Sequence, residues 1–226
     1  MSTALDLGPA PRVLYLADDP ALVRAQIAGA RLATRDVPPL RTDISTDEIS
    51  PVAIMSHYDA RLARFPYTGL TCGGERPIAA GAVLAGGFQV TVAGRRYGKG
   101  SSREHSPAAE RLAGIGLVIA ESFERLYRQN ADNIGLLTST DFGLLVRLER
   151  GEAIPIDELL ADREPLAAAI LRAGGLLHFG RAHLTDAEPS SRRAATGPMT
   201  LYEKIVRRHL LHTPATSTDP DRKSVV

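Results

Sequence analysis

A single cysteine, Cys72, is all the thiol chemistry this chain carries, and that scarcity excludes an internal disulfide framework. Nor can one thiolate hold an iron–sulfur cluster, which usually takes three or four. Long apolar runs are absent, which removes a membrane-spanning helix from consideration. The opening residues, Met1-Ser2-Thr3-Ala4-Leu5-Asp6, lack the cationic segment and hydrophobic stretch of a signal peptide, and a cytoplasmic location is expected. Excess charge of one sign is missing too: 27 Lys and Arg against 26 Asp and Glu leave a formal net charge of +1. With its cations scattered and aromatics at 5%, the chain has no basic, stacking surface for nucleic acid. A small anionic ligand needs only a local positive pocket, and 226 residues suffice to bury a core around one.

Reactive groups are concentrated in one stretch, Tyr97-Gly98-Lys99-Gly100-Ser101-Ser102-Arg103-Glu104-His105-Ser106-Pro107. Upstream, Phe88-Gln89-Val90-Thr91-Val92-Ala93-Gly94 alternates at period two, which predicts a half-buried strand. Downstream, Ser106-Pro107-Ala108-Ala109-Glu110-Arg111-Leu112-Ala113-Gly114 offers a cap, a first-turn proline and a glycine stop, which predict a helix. The stretch therefore falls on a strand-to-helix turn. Its two glycines permit backbone angles other residues resist and let a ligand approach closely. The positive end of the following helix favours a carboxylate or a developing alkoxide. Two hydroxyls and a guanidinium able to grip a carboxylate with two parallel hydrogen bonds complete the set. An anionic small molecule is the guest these groups suit.

A purely structural role competes with that reading. Ser101 with Glu104 matches a capping box, and Ser106 is a second candidate cap; on local chemistry the two readings stand level. Two sharper alternatives fail on spacing. A phosphate-binding P-loop needs four residues between its glycines and a hydroxyl after its lysine, whereas Gly94-Arg95-Arg96-Tyr97-Gly98-Lys99 is one residue short and Gly100 follows. A hydrolase elbow needs Gly-x-Ser-x-Gly, and no glycine follows Ser101 or Ser102 at that distance.

Three spaced segments carry a resemblance. Gly98-Lys99-Gly100-Ser101-Ser102-Arg103-Glu104-His105, then Leu117-Val118-Ile119-Ala120-Glu121-Ser122-Phe123, then Asn130 and Asn133-Ile134-Gly135-Leu136-Leu137, closely resemble the swivel domain of the aconitase superfamily. The nearest form is similar to the separate small subunit of 3-isopropylmalate dehydratase, over residues 41–148. The fold this implies is α/β: a layered β/β/α swivelling domain of aconitase type, with an N-terminal strand-helix elaboration and a C-terminal helical tail. Boundaries are expected at 1–40 for the elaboration, 41–184 for the swivel domain and 185–226 for a polar tail with a short helix.

The elaboration contains Arg12-Val13-Leu14-Tyr15-Leu16 as a strand and a helix from Pro20 capped by Asp19. Thr46-Asp47-Glu48-Ile49-Ser50-Pro51 follows, dense in residues that usually make turns and caps. By resemblance it matches an element at the mouth of the family's active site, and Asp47 and Ser50 are carried over as substrate-binding candidates. In relatives an arginine beyond that element helps bind a substrate carboxylate; here the count lands on Asp59, and Arg61 is the candidate nearby. His57 and Tyr58 share that loop, and selectivity is expected in residues 54–64. Further on, Leu117-Val118-Ile119-Ala120 reads as a buried strand, Phe123 to Asn130 as an amphipathic helix, and Leu144-Leu145-Val146-Arg147-Leu148 as another strand. Helices are expected at Ile156–Leu160 and from Pro165, the latter stopped by Gly174 and Gly175. Strand, helix, strand, helix in succession implies a layered α/β core.

The resemblance further implies a hydro-lyase that moves a hydroxyl between adjacent carbons of a 2- or 3-hydroxy di- or tricarboxylic acid, such as an isopropylmalate-like acid. A large aconitase-like subunit would supply a [4Fe-4S] cluster, with none bound by this chain. Ser101 is then the catalytic proton acceptor, Arg103 clamps a substrate carboxylate and Ser102 hydrogen-bonds it. The alternative is a non-catalytic partner, or a truncated remnant of a fused protein, since Pro198–His209 is similar to the opening helix of the large subunit. Neither nucleic acid nor membrane is expected as a partner.

Overall fold

Short runs of branched and large apolar residues build a parallel sheet. The computed structural model describes residues 3–35, 37–186, 200, 201 and 204, and the chain divides into two units, Met1–Arg181 and Ala182–Val226. In the first, β1 (Ala4–Leu5) pairs antiparallel with β6 (Ile154–Pro155) as a separate ribbon. The main sheet has β2 (Val13–Tyr15), β3 (Val90–Ala93), β4 (Leu117–Ala120) and β5 (Leu137–Ser139) in that order, all parallel. The strand of the N-terminal elaboration thus enters the sheet itself.

Parallel neighbours need crossovers. α1 (Pro20–Ile27), α2 (Thr46–Ile49) and α3 (Ala82–Gly86) lie between β2 and β3, α4 (His105–Leu112) between β3 and β4, and α5 (Arg125–Ile134) between β4 and β5. Asp19 caps α1 as predicted, accepting the Ala21 N–H at 2.8 Å. α5 begins two residues after the predicted start and ends where Gly135 turns left-handed at φ 77°.

With helices on both faces, central strands have no wet side. The period-two pattern of residues 88–94 therefore misleads: all of β3 is buried, Thr91 included, and the Thr91 hydroxyl is hydrogen-bonded to Tyr67 Oη at 2.9 Å. One face of the sheet packs Leu14, Val118 and Ala120 against Val23, Tyr97 and Tyr127; the other packs Tyr15, Val92 and Ile119 against Leu144, Leu145 and Leu148. Residues 144–148, predicted as a strand, are part of a helix, α6 (Leu144–Glu149). Five residues cannot separate the two periods, and Asp141, whose carboxylate accepts the Gly143 N–H at 2.7 Å, turns the chain into the helix. Leu144, Leu145 and Leu148 then share one helical face.

α7 (Ile156–Leu159), α8 (Pro165–Arg172) and α9 (Leu176–Asp186) follow. Among the described residues no helix is long and apolar enough to cross a membrane. The helix predicted at Pro198–His209 lies outside the described residues except at Thr200, Leu201 and Lys204. What the fold does for function is positional: the loop after β3 and the segment at 41–50 meet beyond the C-terminal ends of the strands, where open α/β sheets hold ligands.

Candidate active site

Backbone pairing, rather than side chains, first brings the two segments together. The Gly98 and Lys99 N–H groups both donate to the Ile44 carbonyl, at 2.9 and 3.1 Å, and the Thr46 N–H donates to the Lys99 carbonyl at 2.9 Å. Two hydroxyls extend the ladder: Thr46 Oγ1 donates to the Ser101 carbonyl at 3.1 Å, and Ser106 Oγ to the Thr46 carbonyl at 3.2 Å. Gly98 is required twice over. Its φ is 80°, and an added Cβ would stand 2.3 Å from Tyr127 Cβ.

The cap expected from these serines is not where the sequence places it. α4 starts at His105 with no side-chain cap, so neither Ser101 nor Ser106 caps it. The capping box lies instead on α2, where Ser45 Oγ accepts the Glu48 N–H at 3.2 Å and the Glu48 carboxylate accepts the Ser45 N–H at 2.8 Å. α2 carries Asp47, so this box fixes one of the predicted site residues.

Asp47 in turn meets Arg103. The Arg103 guanidinium is buried and hydrogen-bonded through Nη1 to the Asp47 carboxylate, with the Ser50 carbonyl 3.5 Å from the same nitrogen. Ser50 Oγ is buried and has no protein partner among the described residues. Ser101 and Ser102 are exposed beside this pair, and Ser102 Oγ accepts from Asn130 Nδ2 of α5 at 3.4 Å. Asp47, the Ser50 carbonyl and Arg103 thus meet directly, and Ser101 and Ser102 precede Arg103 on the same loop. Arg61 is held elsewhere: its guanidinium folds onto Asp59, Nη2 to Oδ2 2.6 Å, on an exposed turn, and lowers that carboxyl to about 2. Tyr58 joins its loop to the start of α4, donating to Glu104 Oε1 at 2.6 Å and meeting the His105 ring edge-on at 5.0 Å. Partial desolvation of the hydroxyl, reinforced by its hydrogen bond to the Glu104 carboxylate, pushes Tyr58 up to about 12.

A sequence model of the aconitase C-terminal domain matches residues 74–140, the span from before β3 through β5. The 3-isopropylmalate dehydratase small subunit of Moorella thermoacetica is 34% identical over 156 residues, covering 61% of this chain and 87% of that protein. Its counterpart from Desulfovibrio desulfuricans is 35% identical over 158 residues, covering 63% of this chain and 92% of that protein. The chain belongs to the 3-isopropylmalate dehydratase small-subunit family. Among solved structures, 3-isopropylmalate dehydratase (LeuD) of Methanocaldococcus jannaschii is 28% identical with a TM-score of 0.46, over 64% of this chain and 90% of that one.

For a member of this family an iron–sulfur cluster is implied, and the residues here do not fit one as ligands. Cys72 is buried in the core with its thiol pushed up by burial, and the described residues contain no gathering of three His, Cys, Asp or Glu side chains suited to a metal.

One feature of this small subunit was not anticipated. Glu110, on the inward side of α4, is fully buried and accepts hydrogen bonds from Tyr67, Tyr97 and Tyr127. Burial raises its carboxyl to about 7, against three hydrogen bonds that favour the ionised form. The signal in the sequence is helical spacing: Ser106, Ala109, Glu110 and Ala113 share the face that packs inward.

Proposed function

We propose that this chain is the proton-transfer half of a two-subunit cytoplasmic hydro-lyase acting on a 2- or 3-hydroxy di- or tricarboxylic acid of isopropylmalate type. The observation that carries this reading is the placement of Arg103: a buried guanidinium, steadied by Asp47, next to two exposed serine hydroxyls at the end of the sheet. A carboxylate docked on the guanidinium brings its neighbouring carbon to the serines. Ser102, backed by Asn130, hydrogen-bonds the same end of the substrate.

Ser101 is assigned the proton. Abstraction requires its alkoxide, a strong base that water alone stabilises poorly; the positive end of α4 and the Arg103 guanidinium supply the compensating field. The alkoxide takes the carbon-bound proton, holds it as the hydroxyl and returns it when water adds across the double bond in the opposite sense. A [4Fe-4S] cluster on a large aconitase-like subunit supplies, when bound, the Lewis acid for the departing hydroxyl. Arg61, engaged with Asp59, is given no part in carboxylate binding.

The experiment is anaerobic co-expression with candidate large subunits, followed by a panel of hydroxy acids and ultraviolet detection of the unsaturated product. Product from at least one acid, dependent on both chains, is the expected result. Formation of a stable complex that turns over none of them would overturn the assignment.

A further inference from the structure

Beneath the site lies a carboxylate that the proposed chemistry does not use. Tyr67 Oη donates to Glu110 Oε1 at 2.5 Å, Tyr97 Oη to the same oxygen, and Tyr127 Oη to Oε2 at 2.5 Å. Thr91 of β3 stands behind Tyr67 at 2.9 Å. Among the described residues no Arg or Lys pairs with Glu110, so the phenols alone compensate its burial.

Each phenol leads to a different part of the site. Tyr97 opens the glycine loop and is tied by its backbone to Ser122 and Glu124, at 2.9 Å each. Tyr127 lies directly under Gly98, and one turn further along α5 Asn130 contacts Ser102. Tyr67, itself at φ 62°, donates its N–H to the Ile49 carbonyl at 2.8 Å, at the end of the helix that carries Asp47.

We propose that Glu110 is a positioning residue, which through Tyr97, Tyr127 and Tyr67 sets the glycine loop, α5 and α2 relative to one another, and hence Arg103, Ser102 and Asp47. Its catalytic consequence rests on the hydro-lyase reading; its structural consequence does not.

The cluster has two hydrogen-bond arrangements. Ionised, Glu110 accepts all three phenols. Protonated, one of its oxygens must donate, and the phenols have a second route: Tyr97 Oη lies 3.1 Å from Tyr67 Oη, which lies 2.9 Å from Thr91 Oγ1. With the carboxyl raised to about 7, the two arrangements exchange near neutrality. The groups that face Glu110 are these three tyrosines and Thr91. The tyrosine hydroxyls are held well above their ordinary value by burial and by Glu110, so the carboxylate is the member that titrates.

The test uses the full chain, wild type, Glu110→Gln and Tyr97→Phe, with the Gly98 and Gly100 amides followed by nuclear magnetic resonance across neutral pH. The wild-type amides should move with a midpoint near 7, and Glu110→Gln should remove that transition. His57 and His105 are present in both proteins, so any contribution from them survives the substitution. Should Glu110→Gln not fold, Tyr97→Phe serves: it keeps the carboxylate and removes one of its two links to the loop, so the glycine amides should show a clearly smaller transition with the same midpoint while the Tyr127 ring, still bonded to Glu110, keeps it in full. Glycine amides that titrate alike in wild type and variant, or that do not titrate in wild type, overturn the proposal. In the complex with a large subunit, wild-type kcat should fall about tenfold from about pH 8 to about pH 6, following the ionised fraction, and vary less than about twofold in Glu110→Gln. A complex inactive on every acid defeats the hydro-lyase reading and leaves the amide titration to decide the role of Glu110.

Discussion

The guanidinium of Arg103 is hydrogen-bonded to the carboxylate of Asp47, a residue 56 positions earlier in the chain. The two ends of this bond differ: 9% of the arginine side chain is exposed against 57% of the aspartate. Asp47 therefore acts as a surface anchor that fixes the plane of a buried fork. Because Nη1 makes that bond and also faces the Ser50 carbonyl, orientation of the remaining donors follows from geometry rather than from charge alone.

Arg103→Lys keeps the charge and loses the fork. Turnover in the reconstituted complex should fall by roughly 100-fold or more, the range seen when a single positioned donor is removed. The thermal midpoint of the isolated chain should change little, since a lysine can still reach Asp47.

Asp47→Asn separates the anchor from the fork. An exposed pair contributes roughly 0.5 kcal/mol and a buried pair several; with one partner more than half exposed, a loss of about 1 kcal/mol is expected, read from the urea midpoint. If Arg103 binds the substrate carboxylate and Ser101 is the base, as proposed, KM should rise more than kcat falls.

The strand-to-helix turn was legible because glycine, proline and β-branched residues speak locally, and the Gly98–His105 stretch lies between β3 and α4 as its flanks predict. Asp47 reached Arg103 only through resemblance; the backbone ladder from Ile44 and Thr46 to Lys99 and Ser101 leaves no trace in side-chain identity. The capping box was misplaced for a related reason. Ser101-x-x-Glu104 and Ser45-x-x-Glu48 are the same pattern, and only tertiary pairing of Thr46 with Ser101 and Ser106 chooses between them. α6 was hidden by its brevity, and the Glu110 cluster by the distance between its members, since three tyrosines from three segments become a site only when folded.

Gly98→Ala tests the close approach of loop and helix. The new methyl would enter Tyr127 at 2.3 Å in a left-handed backbone conformation, so strain and overpacking add. Destabilisation of at least about 2 kcal/mol is expected in chemical denaturation. Gly100→Ala, whose Cβ would meet Thr46 Oγ1 at an ordinary 3.6 Å, should cost less.

Glu110 also links stability to pH. Its carboxyl is raised from 4.5 to about 7, so between those values the folded chain holds a proton that the unfolded chain has released. The stabilisation is complete below about 4.5 and is lost as pH rises through about 7. Thermal midpoints measured across this window should decline with rising pH in wild type, after correction for other groups, and the Glu110→Gln profile should lack that component.

The most direct test of the account is Ser101→Ala in an anaerobically reconstituted complex with its large subunit, assayed for both dehydration and rehydration. Loss of turnover in both directions, with the complex still assembled and substrate affinity within a few-fold of wild type, is predicted by proton transfer at Ser101. Near-normal turnover by that variant would contradict it.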